Sequence, residues 1–306
     1  MLVNKSSLAA VFINLNTLFN RAFAKGEPSY TKIAMRVPST GSQEDYAWLS
    51  SFPRMRRWVD EKLIKSLKAF KYSIVNEDWE TTIEVDRNDI EDDSLGIYAP
   101  QAQAAGDSAK MMPDEIVGEV VNGVFTVDCF DGKKFCATDH PVYGLDGKIA
   151  SVSNKGTKAL NISTQALAQA SFGVARTAMR KFKDNQGRSL KVNPNVLMVG
   201  PALEDTANAL MTADRLEDGK INPYKGVCEV YVNDEITSDT AWFLLDTRKA
   251  VKPFVYQERK APVFVSQTDP QADGVFKRKK FLFGAEARAA GGTAFWQLCY
   301  GSTGTA

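Results

Sequence analysis

A single histidine, His140, serves all 306 residues, and that scarcity excludes a good deal of chemistry. A Ser/His/Asp or Cys/His site has only this imidazole to build on, and no serine or cysteine is marked as its partner. Cysteine is almost as sparse. The four thiols are scattered, without the dense spacing of a disulfide framework, which fits a reducing compartment. Neither sign of charge is in excess: the formal net charge of +1 excludes a strong basic field for tight nucleic-acid binding and an acidic solvating tail. Long apolar runs are missing, so neither a signal peptide nor a membrane span of about 20 residues is read. The phosphate and nucleophile motifs are missing as well. Gly147-Lys148 runs into Ile149 without an upstream glycine at the right distance, no G-x-G-x-x-G follows a strand, and no G-x-S-x-G elbow occurs. These absences predict that the chain is not an enzyme and carries no cofactor.

What is present begins with an amphipathic helix. In SSLAAVFINLNTLFNRAFAKG, Leu8, Val11, Phe12, Leu15, Leu18, Phe19, Ala22 and Phe23 recur at helical spacing, with Ser6 or Ser7 as N-cap and Gly26 as the stop. Two readings stand beside each other: ordinary core packing, and an arm that docks outside its own domain. A proline-punctuated stretch follows, with Pro28, Pro38 and Pro53 and an exposed PSTGSQ turn. Residues from about 50 to 85 read as a two-stranded excursion, which cannot bury both faces alone. DRNDIEDDSLGIYAPQAQAAGDSAKMMPDEIVGEVVNG then reads as helical, with Pro100 expected to kink it and Pro113 to open its last section. The second half supplies a helix from about Ser163 to before Gly187, the strand NPNVLMVG, a helix begun by Pro201, and strands in GVCEVYVND, DTAWFLLDTRK, PFVYQE and APVFVSQ. In the closing segment Phe281, Phe283, Ala285, Ala287 and Ala289 share one strand face, followed by a GG turn and a returning strand. Pairing between distant segments makes the fold class α+β.

Four clusters are candidates for chemistry. Cys129, Cys136 and His140, with Asp131 and Asp139 beside them, offer metal-ligand atom types, but structural zinc sites pair their cysteines more tightly and need a second pair. The competing reading is a hairpin: VNGVFTVDCF as one strand, Asp131-Gly132 as the turn, KKFCA as the return. Asp86, Asp89 and Asp93 fall on one helical face with Glu91 and Asp92 nearby, a pattern that helix dipoles favour without any ion. Lys277 to Lys280 is the densest basic run, read as a solvated strand start or a weak contact to phosphate or an acidic neighbour. Arg54, Arg56, Arg57, Trp58, Asp60, Glu61 and Lys62 form the candidate interface, because Arg and Trp are enriched at protein–protein contacts and the mixed charge is self-complementary.

YAWLSSFPRMRRWVDEKLIKSLKAFKYSIVNEDWETTIEVDRNDIEDDSLGIY, CFDGKKFCATDHPV, VNPNVLMVGPALEDTANALM and FGAEARAAGGTAFWQLCYGS together resemble the Mu-type phage major head subunit family, whose fold is of the Hong Kong 97 type. The resemblance spans nearly the whole chain. It implies a capsid subunit that assembles with itself into pentamers and hexamers around packaged double-stranded DNA held by weak non-specific contacts. It implies an N-terminal arm at 1–49, an extended loop at 50–85 lying over a neighbour, and a peripheral domain from 86–189 and 263–306. A spine helix at about 86–123 would belong to that domain, and an axial domain would occupy 190–262. Portal and decoration proteins are implied as partners, with the virion as location and the host cytoplasm during assembly; no membrane is involved. Because the presumed arm begins within the first ten residues, a separate scaffolding protein is expected. Lys62, Lys65, Lys68 and Lys71 are available for the lysine–asparagine cross-link of some relatives, but none is expected here. Relatives resembling the chain through the DG turn and the HP pair carry an aromatic residue at the position of Cys136, which implies packing and no metal. The alternatives are a cellular nanocompartment shell of the same fold and a Cys/His metal-binding module.

Overall fold

The computed structural model describes residues 5–46, 49, 72–92, 95–143, 149–184, 187–269 and 273–306. Its helices are α1 (Lys5–Lys25), α2 (Arg87–Glu91), α3 (Ala99–Asn122), α4 (Gln165–Ala168), α5 (Val174–Lys181), α6 (Glu204–Thr212) and α7 (Asp273–Arg278). The strands run in order as β1 (Ala34–Pro38), β2 (Gln43–Asp45), β3 (Ser73–Val75), β4 (Glu77–Asp86), β5 (His140–Tyr143), β6 (Ile149–Val152) and β7 (Lys155–Gly156). They continue as β8 (Val196–Val199), β9 (Glu229–Val232), β10 (Trp242–Leu245), β11 (Phe254–Gln267), β12 (Lys280–Thr293) and β13 (Cys299–Ser302).

The chain forms two main sheets joined by α3. In the first, ordered β1-β11-β12-β4, β1 joins β11 in parallel and the remaining pairs are antiparallel. PFVYQE and APVFVSQ are one bent strand, with register shifts between Glu258 and Lys260 and between Lys260 and Val263, beside Pro262. A proline cannot donate to the ladder, so the strand bulges there and continues. The second sheet, ordered β7-β13-β10-β8-β9, has β8 and β10 buried along their whole length, which suits the unbroken apolar runs VLMV and WFLL. Segments at 155–156 and 299–302 join this sheet, so its strands come from outside 190–262 as well as from within it.

Helix α1 packs inside its own chain. Leu8, Val11, Leu15 and Phe19 are buried with Ala102 and Ala105 of α3 and with Phe264, Phe281 and Phe283 of the first sheet. The core-packing reading of its apolar stripe therefore holds, and the helix stops at Lys25 before Gly26 as expected. Ser6 and Ser7 lie within the helix, which begins at Lys5, so neither caps it. Likewise β4, expected to be part of the excursion, pairs with β12 along its full length, from Asp86 opposite Lys280 to Glu77 opposite Ala289.

The long helix is shorter than 86–123. Asp86 caps α2, its Oδ1 accepting from Asn88 N at 2.8 Å, and a 3₁₀ turn at Leu95–Tyr98 intervenes before α3. Pro100 does not kink the helix but sits in its first turn, where a missing N–H costs nothing. Pro113 lies inside a continuous helix. The expected GG turn is absent: Gly291 and Gly292 remain in β12. A Cβ at Gly291 would lie 2.6 Å from Val120 and one at Gly292 2.2 Å from Ile74, so these glycines let α3 and β3 approach the strand.

The root of the 50–71 segment is pinned. Tyr46 N donates to Tyr72 O at 2.8 Å and Tyr46 Oη to Gln257 Oε1 at 2.8 Å. The fully buried Gln257 amide in turn donates to Ile74 O and Asn76 Oδ1, at 3.1 and 2.7 Å.

Candidate functional site

The candidate ligand cluster forms where α3 ends. After Asn122 the chain keeps turning, with Val127 N donating to Gly123 O at 2.8 Å, so VNGVFTV is not a strand. The expected hairpin reduces to a tight turn with one isolated bridge, Asp128 to Lys134. Its apolar alternation is taken up by burial of Val124, Phe135 and Cys136 in the core. Gly132 sits at φ +77°, the left-handed region that an Asp-Gly turn demands. Lys133 N and the Cys129 thiol both donate to Asp131 Oδ1, at 3.0 and 3.1 Å, and this turns the carboxylate inward.

His140 is fully buried at the start of β5. Its Nδ1 lies 2.7 Å from Asp131 Oδ2 and its Nε2 lies 3.1 Å from Asn154 Oδ1. The orientation of that amide is fixed by its other partners. Asn154 Nδ2 donates to the carbonyls of Phe135, Trp296 and Cys299 at 2.8, 3.2 and 3.1 Å, and Oδ1 accepts from Ala137 N at 2.9 Å. An oxygen so placed accepts, so Nε2 carries the hydrogen. The imidazole also stacks on Trp296, with ring centroids 4.0 Å apart and planes 9° from parallel, and Phe182 meets the other ring system edge-on at 5.4 Å. One network thus ties the turn after α3, the β6–β7 connection, the end of α5 and the C-terminal strand.

Burial pulls the Asp131 carboxyl up, but hydrogen bonds from His140 and Cys129, the His140 charge and the Lys133 amide outweigh it and hold the carboxyl below its ordinary range. Burial first, and the Asp131 charge second, push the Cys129 thiol up; burial and Cys136 do the same for Cys299. These cysteines are held as thiols and are poor nucleophiles. The candidate trio Cys129, Cys136 and His140 is not assembled. Asp131 takes the place of Cys136 beside Cys129 and His140, with their donor atoms within 4.8 Å of one another, while Cys136 faces Cys299 and Gly301. A cation would have to displace the hydrogen bonds by which Cys129, Asp131 and His140 satisfy one another.

A pH prediction follows from the lowered Asp131. An unfolded aspartate titrates near about 3.9. The stabilisation is fully present above that value and is lost as pH falls through the lower folded value. Urea midpoints of the intact chain should therefore fall as the pH is lowered below about 4, and an Asp131→Asn variant, less stable at neutral pH, should show a flatter acid limb. Parallel profiles for the two proteins would contradict the pairing.

The other candidates separate. Asp86 is a cap, Asp89 accepts from Tyr98 Oη, Glu91 pairs with Arg87 at 2.9 Å, and Asp93 lies outside the described residues. Lys277 and Arg278 end α7, Lys279 takes φ +55°, and Lys280 opens β12 in an exposed ion pair with Glu84, so only the last of the four begins a strand. Arg54, Arg56, Arg57, Trp58, Asp60, Glu61 and Lys62 lie outside the described residues, as do Lys65, Lys68 and Lys71. Asn154, the hub of the network, was marked by no sequence motif. Among the described residues no helix is long and apolar enough to cross a membrane.

Comparison with known proteins places this geometry. The family described as Mu-like prophage major head subunit gpT matches residues 8–162, 158–236 and 231–305. The major capsid protein of Escherichia phage Mu is 30% identical over 298 residues, covering 97% of this chain and 74% of that protein. The Mu-like prophage FluMu major head subunit of Haemophilus influenzae is 28% identical over 302 residues, 99% of this chain and 75% of that one. Among solved structures, the procapsid of bacteriophage JBD30 superposes with a TM-score of 0.62 at 27% identity, over 98% of this chain and 76% of that chain. A virus-like particle from Pyrococcus furiosus, at 11% identity and TM-score 0.53 over 95% of this chain and 98% of that one, shares the fold alone.

Proposed function

The chain belongs to the family of Mu-like prophage major head subunits, and from that premise we propose how it builds a shell. It is a major capsid protein of the Hong Kong 97 type, structural and not catalytic, whose partner is first of all itself. The observation that carries this is the match of sequence and fold along almost the entire length to a phage procapsid subunit.

The finer reading is as follows. Copies assemble into pentamers and hexamers, with 190–262 at the capsomer centre as the axial domain, and 86–189 with 263–306 as the peripheral domain. Residues 1–49 form the arm and 50–85 the excursion toward a neighbour. Assembly runs in the host cytoplasm with a scaffolding protein and a portal, and the finished wall contains double-stranded DNA that it grips weakly, in keeping with a net charge of +1. A decoration partner fits as well: the JBD30 capsid, 27% identical with a TM-score of 0.56, is decorated with minor capsid protein trimers. No lysine–asparagine cross-link forms, so denaturing gels of mature particles show single subunits and no ladder.

The test is electron microscopy of the chain expressed alone and together with its neighbouring open reading frames. Capsomer rings or closed shells are expected, and DNA inside full particles separates a virus head from a cargo-filled nanocompartment. A chain that stays monomeric under every condition would overturn the proposed assembly.

A further inference from the structure

A net charge of +1 does not forbid a local excess, and folding assembles one from three stretches of chain. Arg176 and Arg180 stand one turn apart on one face of α5, and Lys181 and Lys183 follow where that helix ends. The chain then folds back on the helix end, Leu190 N donating to Phe182 O at 2.9 Å and Lys183 bridging Ser189. This brings Lys191 beside the turn after β10. Lys249 Nζ donates to Lys191 O at 3.2 Å, and Arg248 donates to Asn193 O. Burial pushes the Cys228 thiol up while the charges of Arg176 and Arg248 both pull against it, so the helix and the turn present their guanidiniums around one sulfur.

No carboxylate of these stretches answers the cations at the surface. Within 173–195 and 246–252 the acids are Asp184 and Asp246, and both are buried. Arg188 holds Asp184 at 3.1 Å, while Arg248 and the Asn193 amide hold Asp246 at 3.7 and 2.8 Å. Arg180, Lys181, Lys183, Lys191 and Lys249 are exposed and form no ion pair among the described residues. Arg176 Nε is buried without a hydrogen-bond partner among them. The negative end of the α5 dipole accounts for Arg180 and Lys181. It does not account for Lys191 or Lys249, which come from other segments, and Lys191 takes φ +51°, where a glycine would be less strained.

What surrounds the cations selects the partner. A protein interface takes its energy from aromatic and apolar anchors, and single-stranded nucleic acid needs aromatic stacking platforms. Neither is interleaved here: among the described residues from Arg176 to Lys191 and from Thr247 to Ala250, the exposed ones other than cations are Thr177, Gly187, Ser189 and Ala250. Cations among small and polar residues suit a repeating polyanion touched through its phosphates and not read through its bases. We propose that Arg176, Arg180, Lys181, Lys183, Lys191 and Lys249 form the surface by which the subunit holds the phosphate backbone of packaged double-stranded DNA, without regard to sequence. The assignment rests on the shell-subunit reading for the presence of packaged DNA, and it confines the weak grip to one patch of a nearly neutral chain.

The test combines Arg180→Gln, Lys181→Gln, Lys191→Gln and Lys249→Gln in the full chain. A control chain loses the same charge elsewhere, through Lys25→Gln, Lys134→Gln, Lys260→Gln and Lys280→Gln. Binding of a short DNA duplex of mixed sequence to each purified subunit is followed by fluorescence anisotropy across a salt series. The unaltered and control chains should bind alike, with log affinity falling against log salt by about 0.9 for each phosphate contacted. The patch variant should bind at least roughly tenfold more weakly at low salt, with a shallower slope. No binding by the unaltered chain, or an equal loss in the control, would overturn the patch whether or not shells form. In particles of the unaltered chain, amine acylation should find Lys181, Lys183, Lys191 and Lys249 protected when DNA is inside and reactive when it is not. Equal labelling of filled and empty particles would overturn the proposal. The patch variant should still form shells with an unchanged thermal midpoint of the subunit. If it keeps that midpoint and forms none while the unaltered chain does, the patch joins copies of the chain and the DNA contact is excluded. Should the unaltered chain itself form no shells, the shell reading fails, and the duplex measurement still decides the patch.

Discussion

Replacing Asn154 by aspartate should leave little folded subunit, although the change alters side-chain volume almost not at all. The amide nitrogen of Asn154 donates toward the carbonyls of Phe135, Trp296 and Cys299, and its oxygen accepts from Ala137 N and His140 Nε2. Aspartate keeps the acceptor and turns the donor into a second oxygen aimed at three buried carbonyls. Each buried polar group left unpaired costs about 1–3 kcal/mol, and a charge left against acceptors costs more. The sum is on the order of 5 kcal/mol or above, against a total stability of about 5–15 kcal/mol. Asn154→Leu should fail comparably, since it strands all five partners. The measurement is the soluble fraction on expression and, for what remains soluble, the urea midpoint. An Asn154→Asp chain with an unaltered midpoint would mean that the amide packs there without organising its neighbours.

At Gly106 a substitution should act against its helix propensity. Alanine in place of a helical glycine usually stabilises by about 1 kcal/mol. Here a Cβ would stand 2.4 Å from the carbonyl oxygen of Phe19, part of the α1 backbone. That oxygen is not a flexible tip, so α1 must move off α3. Displacing it exposes Leu8, Val11, Leu15 and Phe19, each worth about 1.5–3 kcal/mol of burial when fully covered. Gly106→Val should therefore lower the urea midpoint sharply or release α1 to proteolysis, and Gly106→Ala should do so in milder form. Gly96→Ala is the control, because nothing lies within 4 Å of its Cβ. Equal stability of the Gly96 and Gly106 variants would show that the α1–α3 contact gives way easily.

The reading of the sequence succeeded wherever the signal is local. The periodicity of α1, the stop at Gly26, the runs VLMV and WFLL, and the proline opening the 3₁₀ turn before α6 each express a backbone preference or a one-sided apolar pattern within a dozen residues. It failed where the same letters serve two purposes. Gly291-Gly292 reads as a turn, yet the glycines stay in a strand to admit Ile116, Val120 and Ile74. The alternation before Cys129 reads as a strand, yet it is the continuation of a helix end into the core. Pro100 reads as a kink, yet it lies in the one turn that tolerates it.

The sequence by itself determined the class of the protein. The quoted segments resembled a head subunit along the whole chain, and the family shown by comparison is that of structural head subunits. Only the tertiary structure decided what those residues do. Asp131, His140, Asn154 and Trp296 meet from positions up to 165 residues apart because the C-terminal strand returns beside the turn that follows α3. The apolar stripe of α1 is buried within this chain, because it matches an apolar surface made by α3 and the first sheet. A hydrophobic stripe states that a face will be buried. Which surface buries it is a long-range question, settled by the packing of elements that no local pattern encodes.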